Sequence, residues 1–208
     1  MSFYEKYILP KFLDFACNLK GFQNKRSQIV PHAFGTVLEI GIGSGLNLEF
    51  YDFDKVDSVI GVDPALPSIA MARERTIKKG VNDKFSFMAL SAESLPLKDN
   101  YFDSVVIAYS LCTIPNPEAA LQEIKRVLKP EGRLLFMEHG LAPEASTQKW
   151  QHRLTPHWKK FAGGCHMNRD IESMLLKAGF QFELLKKKYI KGPKVLAFNY
   201  YGIALKKA

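Results

Sequence analysis

Residues 37–45, VLEIGIGSG, leave this chain few ways to fold. An apolar run, Thr36, Val37, Leu38, Glu39 and Ile40, passes directly into glycines at alternate positions, Gly41, Gly43 and Gly45. The run has the length and composition of a buried strand, and the glycines end it in a turn. Lacking Cβ, they let a ligand come close to the backbone. A Gly-rich turn after the first strand of an α/β unit commonly seats a nucleotide-like cofactor. The pattern G-x-G-x-G is not the dinucleotide G-x-G-x-x-G, and no Lys-Ser/Thr follows as in a phosphate loop, which argues against a triphosphate. Glu39, just before the turn, suits a cationic ligand better than a pyrophosphate.

A second strand, 58–62, ends at Asp63 about twenty residues downstream, where an acid is placed to accept from ribose hydroxyls. Residues 85–89 and the turn 91–96, SAESLP, come next. Residues 101–108, YFDSVVIA, read as a fourth buried strand, and 128–136, LKPEGRLLF, as a helix end that turns on Gly132 into a fifth. Alternating strands and helices imply a parallel sheet covered on both faces. Ligands of such sheets bind beyond the carboxyl ends of the strands, beside strand one. That rule gathers 41–45, Asp63, 91–93 and 109–112 on one rim.

In order and spacing, VLEIGIGSG, VIGVD, SAESLP, YFDSVV and LKPEGRLLF resemble the motifs of class I S-adenosylmethionine-dependent methyltransferases. The resemblance implies a doubly wound, Rossmann-like α/β fold with a seven-stranded sheet, order 3-2-1-4-5-7-6 and the last strand antiparallel. It implies S-adenosylmethionine as cofactor. Gly41 and Gly43 would lie against its methionine and ribose parts, with Gly45 in the same turn. Asp63, followed by Pro64, would take the ribose hydroxyls. Ser91, Ala92 and Glu93 would edge the adenine, Ser91 standing where relatives often carry Asp. Ser110, Leu111 and Cys112 would lie under the methionine, and Tyr4 would lean over the cofactor.

The strings LCTIPNP, MEHGLAP, WQHRLTPHWKKFAGGCHMNR and YYGIA narrow the resemblance to a group of small bacterial methyltransferases. That group is similar to the animal methyltransferase-like proteins that methylate alkyl thiols, and it overlaps quinone-pathway and phosphatidylethanolamine methyltransferases. The expected acceptor is therefore small and lipophilic, a thiol first, with a phospholipid or quinone-pathway acceptor as the alternative. A cofactor-binding protein without catalysis is a further reading. Amide- and base-directed enzymes carry Asn/Asp-Pro-Pro-Tyr where this chain has Tyr109-Ser110-Leu111-Cys112. Nucleic acid is accordingly not an expected partner.

At 208 residues the chain is expected to form one domain over 1–208. Residues 1–35 would supply N-terminal helices serving as a lid, with Pro10 breaking or kinking them. Helices are expected over Leu66–Lys79, stopped by Gly80, and from Pro117, capped by Asn116; another would run from an Asn168 cap to Ala178. The last strands should lie near 180–187 and 195–204. Three separated cysteines, Cys17, Cys112 and Cys165, suggest neither a disulfide framework nor a zinc site, and a reducing cytoplasm. No secretory pattern or spanning stretch is visible. The formal net charge of +8 is partly local, in Lys186, Lys187, Lys188, Lys191 and Lys194 and in Lys149, Arg153, Lys159 and Lys160. Such clusters either solubilise the surface or support peripheral contact with an anionic membrane.

What remains for the acceptor is the insert 139–169. It holds four of the five histidines and both tryptophans. His139 directly follows strand five and can take a proton near neutral pH, so it is the candidate catalytic group, set against an ordinary loop histidine. Trp150, Trp158 and Phe161, with Tyr4 and Tyr7, are candidates to wall an apolar pocket. Cys165-His166 after Gly163-Gly164 reads as a structural loop, and no metal ligand is assigned.

Overall fold

Strands β1 (Gly35–Ile40), β2 (Val56–Val62), β3 (Phe85–Met88), β4 (Phe102–Ala108) and β5 (Leu128–His139) are parallel. β6 (Phe180–Tyr189) pairs only with β7 (Phe198–Lys206), which runs antiparallel to both β5 and β6. The order is β3-β2-β1-β4-β5-β7-β6, as expected. The computed structural model describes residues 3–206.

Near-continuous apolar strands are what a sheet covered on both faces requires. Leu38, Ile40, Val105, Ile107, Leu134 and Phe136 feed the core on one face, with α4 (Pro117–Val127) and α6 (Ile171–Lys177). Val37, Val106, Leu135 and Met137 feed the other, where Ile29 of α2 (Lys20–Ile29) packs. α3 (Leu66–Lys79) ends at Gly80 in the left-handed conformation, and the Asn116 side chain caps α4 by accepting from Ala119 N.

Some local expectations are corrected. β5 starts earlier than expected, at Leu128, and residues 129–132 bulge out of its pairing with β4, bringing Gly132 against the Leu128 side chain. α6 is capped by Asp170, whose Oδ1 accepts from Ser173 N at 3.2 Å, because Asn168 turns its amide to His152 instead. Pro10 does not break the N-terminal segment: it sits in the first turn of α1 (Leu9–Cys17), where its missing N–H costs nothing. β7 begins at Phe198, three residues later than expected, because Lys194–Ala197 forms the short helix α7.

Strand order reverses between β1, which neighbours β2, and β4, so the Gly-rich turn opens at the switch point of the sheet. Over it lies α1. Arg75 Nη2 pairs with Asp14 of α1 at 2.8 Å, Arg75 Nη1 donates to Ser44 O at 2.7 Å, and Ser44 Oγ donates to Asp14 Oδ1 at 2.5 Å. This half-buried cluster ties the helix to the turn.

Candidate active site

A cavity of about 500 Å³ runs from the Gly-rich turn to the insert. Its cofactor end is lined by Gly41, Gly43, Asp63, Pro64, Ser91 and Ala92, with Glu39 beneath. Leu9, Phe12, Leu13, Ala16 and Cys17 of α1 roof it, and Cys112, His139, Trp158 and Cys165 close the far end. The lining is mainly apolar, as in small-molecule sites generally.

Gly41 takes φ +66°, and a Cβ there would come within 2.5 Å of Ser110 Cβ. Ser110 Oγ in turn contacts Gly41 O at 3.3 Å, so the first glycine lets the β1 and β4 turns touch. Asp63 clasps two turns at once. Its Oδ2 accepts from Gly43 N at 3.0 Å and its Oδ1 from Ala65 N at 2.8 Å. A carboxylate offers about four acceptor sites, so capacity for ribose hydroxyls remains. Burial pushes the Asp63 carboxyl up, against the two backbone bonds that lower it.

Glu39 is buried and fully engaged with its neighbours. Asn47 Nδ2 donates to Oε1 at 2.9 Å and Tyr51 Oη to Oε2 at 2.7 Å, while Arg26 Nε holds Asn47 Oδ1 at 3.0 Å. Desolvation drives the Glu39 carboxyl up to about 7 in spite of these donors. A negative charge here is costly until a cation arrives.

Five sequence assignments do not reach the cavity. Gly45 faces Ala72 of α3, where a Cβ would sit 3.2 Å from Ala72 Cα. Glu93 is spent on Asn116 N at 2.6 Å and Ser91 Oγ at 2.9 Å, clasping its turn to the start of α4. Leu111 is fully buried in the core, and only its neighbours Ser110 and Cys112 line the cavity. Tyr4 sends its hydroxyl to Phe161 O at 2.7 Å, outside the lining, and Tyr7 also lies outside it. On the acceptor side, Trp158 lines the cavity, but Trp150 and Phe161 are more than half exposed on the outer face of α5 (Ala145–Phe161).

Other features escaped the sequence reading. Glu138, fully buried at the end of β5, accepts from Ser110 N at 2.7 Å and Leu111 N at 2.8 Å and so shapes the turn after β4. Burial pushes it up to about 7. The signal was available: an acid directly after the apolar run 134–137. Tyr109 holds φ +56°, rare for a bulky residue. It is kept there by a bond to Asn199 Oδ1 at 2.9 Å and by Phe22 edge-on at 4.7 Å.

At the far end His139 Nε2 lies 3.0 Å from Cys165 Sγ. The Cys112 thiol, hydrogen-bonded to Cys165, and the imidazole together hold Cys165 well below the usual thiol range. Cys112 itself is raised, chiefly by that bond and then by burial. Desolvation opposes charge on His139, but the Cys165 sulfur outweighs it and raises the imidazole.

The comparisons with known proteins agree with this geometry. Residues 38–136 match the family model "Methyltransferase domain". The human thiol S-methyltransferase TMT1A is 32% identical over 192 residues, 89% of this chain and 76% of the relative. The chain belongs to the class I S-adenosylmethionine-dependent methyltransferases. The rat thiol S-methyltransferase TMT1B is 34% identical over 70% of the chain, which spans only 59% of that relative. A ubiquinone/menaquinone biosynthesis C-methyltransferase of Brucella canis is 34% identical over 54% of the chain and 49% of its own length. A Bacillus halodurans structure described as a putative methyltransferase shares the fold, with TM-score 0.67 and 18% identity over 96% of this methyltransferase and 99% of that chain.

The residues fit the cofactor. Gly41 and Gly43 leave room at the turn, Asp63 keeps acceptor capacity, and Glu39 can offset positive charge. S-adenosylmethionine, when bound, supplies a methyl group on an electrophilic sulfonium.

Proposed function

We propose that this methyltransferase methylates a small, lipophilic acceptor, a thiol in preference to other nucleophiles. The observation that carries this reading is the apolar cavity, continuous from the Gly-rich turn to Cys112, His139, Trp158 and Cys165. In-line displacement asks the protein to align the nucleophile and exclude water, without a covalent step. The α1 roof serves exclusion; Ser110 positions the cofactor side, and Cys112, His139 and Trp158 the acceptor. The thiol S-methyltransferase relatives support the choice of sulfur. Labelled methyl transfer across thiols, amines, phenols, quinones and lipids tests it, and transfer to thiols slower than to every other class would overturn it.

His139 touches the acceptor end only, so His139→Gln should keep cofactor affinity within about twofold while turnover falls roughly tenfold or more. Isothermal titration with S-adenosylhomocysteine, alongside turnover, separates the two. Unchanged turnover would make His139 a bystander.

A lipophilic acceptor also needs a route in. Phe15 of α1 and Phe161 of α5 are 70% and 66% exposed, Trp150 and Leu154 lie on α5 too, and Tyr4, just before α1, bonds Phe161 O. Lys149, Arg153, Lys159 and Lys160 belong to the same helix. No described helix is long and apolar enough to cross a membrane, so we propose peripheral contact with anionic lipid through this face. Sedimentation with anionic vesicles should be strong at low salt and fade as screening rises. Equal binding to neutral vesicles would refute the electrostatic part.

A further inference from the structure

Three soft side chains that the sequence keeps far apart meet at the blind end of the cavity. Cys112 follows β4, His139 ends β5 and Cys165 follows α5. One ligand atom from each lies within 4.8 Å of the other two, and all three residues are buried. We propose that Cys112, His139 and Cys165 bind a zinc-class divalent ion whose fourth position opens into the cavity and takes the acceptor thiol.

The donor set has the right chemistry. Two thiolates and one imidazole favour zinc over hard cations, and three protein ligands with an open position are the usual pattern of a catalytic zinc. Tetrahedral bonds of about 2.1–2.3 Å put ligand atoms about 3.5–3.8 Å apart, within the 4.8 Å that bounds the three atoms here. The 3.0 Å contact between His139 Nε2 and Cys165 Sγ needs to open by only about half an ångström.

A second observation points to the same end of the cavity. Among the described residues Glu138 Oε2 and His139 Nδ1 are buried polar atoms without a hydrogen-bond partner. Buried polar groups without partners call for a water or an ion. Trp158 and Ala162 pack on both cysteines as an apolar shell, and the Glu138 carboxylate is near enough to act electrostatically on His139. Outer carboxylates and apolar shells of this kind tune metal ligands.

The inference rests on the thiol reading above and gives it a chemical device. A thiol R–SH would bind as R–S⁻, releasing its proton to solvent. Its sulfur then attacks the methyl carbon while the bond from that carbon to the cofactor's sulfonium sulfur breaks, its electron pair staying on that sulfur. The thioether formed is neutral and a weak ligand, so it leaves and the position reopens.

The experiment takes the full chain, purified with reductant and without chelator. Elemental analysis should find close to one zinc per chain. Cobalt(II) added to the stripped protein should give thiolate-to-cobalt charge-transfer bands, and a small alkyl thiol should then shift the visible ligand-field bands. Cys112→Ser and Cys165→Ser should each lose the bands, and Cys17→Ser should keep them. Circular dichroism and titration with S-adenosylhomocysteine show whether each variant is folded. Zinc well below one per chain, retention of the bands in folded Cys165→Ser, or a Cys112–Cys165 disulfide found by thiol counting without reductant would overturn the site. A thiol that leaves the cobalt spectrum unchanged would overturn the open position. A protein that binds one zinc yet methylates no thiol would fail the functional reading while keeping the metal.

Discussion

Asp63→Ala is expected to remain folded and to lose about 1–3 kcal/mol of affinity for S-adenosylhomocysteine, roughly 5- to 150-fold. Two losses add. Ribose hydroxyls lose their acceptor inside a closed cavity, and Gly43 N loses the 3.0 Å bond that fixes the turn. Asp63→Asn separates them, because one side-chain oxygen survives to hold a single backbone N–H while the charge is gone. Isothermal titration on both variants, with unfolding curves measured without ligand, decides the matter. Full affinity in folded Asp63→Ala would reduce Asp63 to a clasp between β2 and α3.

The same residue shows how far the sequence could be read. Asp63 and the glycines announce themselves because strand, turn and acid follow each other at a spacing set by backbone geometry, and so the cofactor end was legible, while the sheet order followed from the family resemblance. Position within a turn was not. Gly45 and Glu93 belong to the right segments but face Ala72 and Asn116, because neighbouring residues of a turn point different ways and only tertiary contacts choose between them. The acceptor end was least legible. The convergence of Cys112, His139 and Cys165 joins positions up to 53 residues apart, and no local pattern encodes a meeting of that kind. Trp150 and Trp158 sit on the same helix with opposite fates, one on the outer face and one against the cysteines. An insert rich in aromatics does not say which of them face inward.

Glu39 should make cofactor binding depend on pH between about 5 and 7. Its carboxyl rises from the ordinary 4.5 to about 7 in the folded protein, because burial outweighs the bonds from Tyr51 and Asn47. Below pH 4.5 folded and unfolded chains both carry the proton, and above 7 neither does. Between those limits the folded chain keeps a proton that the unfolded chain has released. Stability is therefore highest at the acid side of the window and falls as pH rises through it, by roughly 3 kcal/mol from this group. Glu138 moves in the same direction, so wild type against Glu39→Gln isolates the Glu39 share. Chemical denaturation at pH 5 and pH 7.5 should show a smaller drop in the variant. A cationic cofactor reverses the balance, since it rewards the ionised carboxylate inside the cavity. Binding below pH 7 should then expel the Glu39 proton, and affinity should climb from pH 5 to 7 in the wild type and much less in Glu39→Gln. Titration in buffers of different ionisation enthalpy counts the released proton directly. If both proteins release the same number, Glu39 stays protonated in the complex, and its task is to hold Asn47 and Tyr51 under the turn.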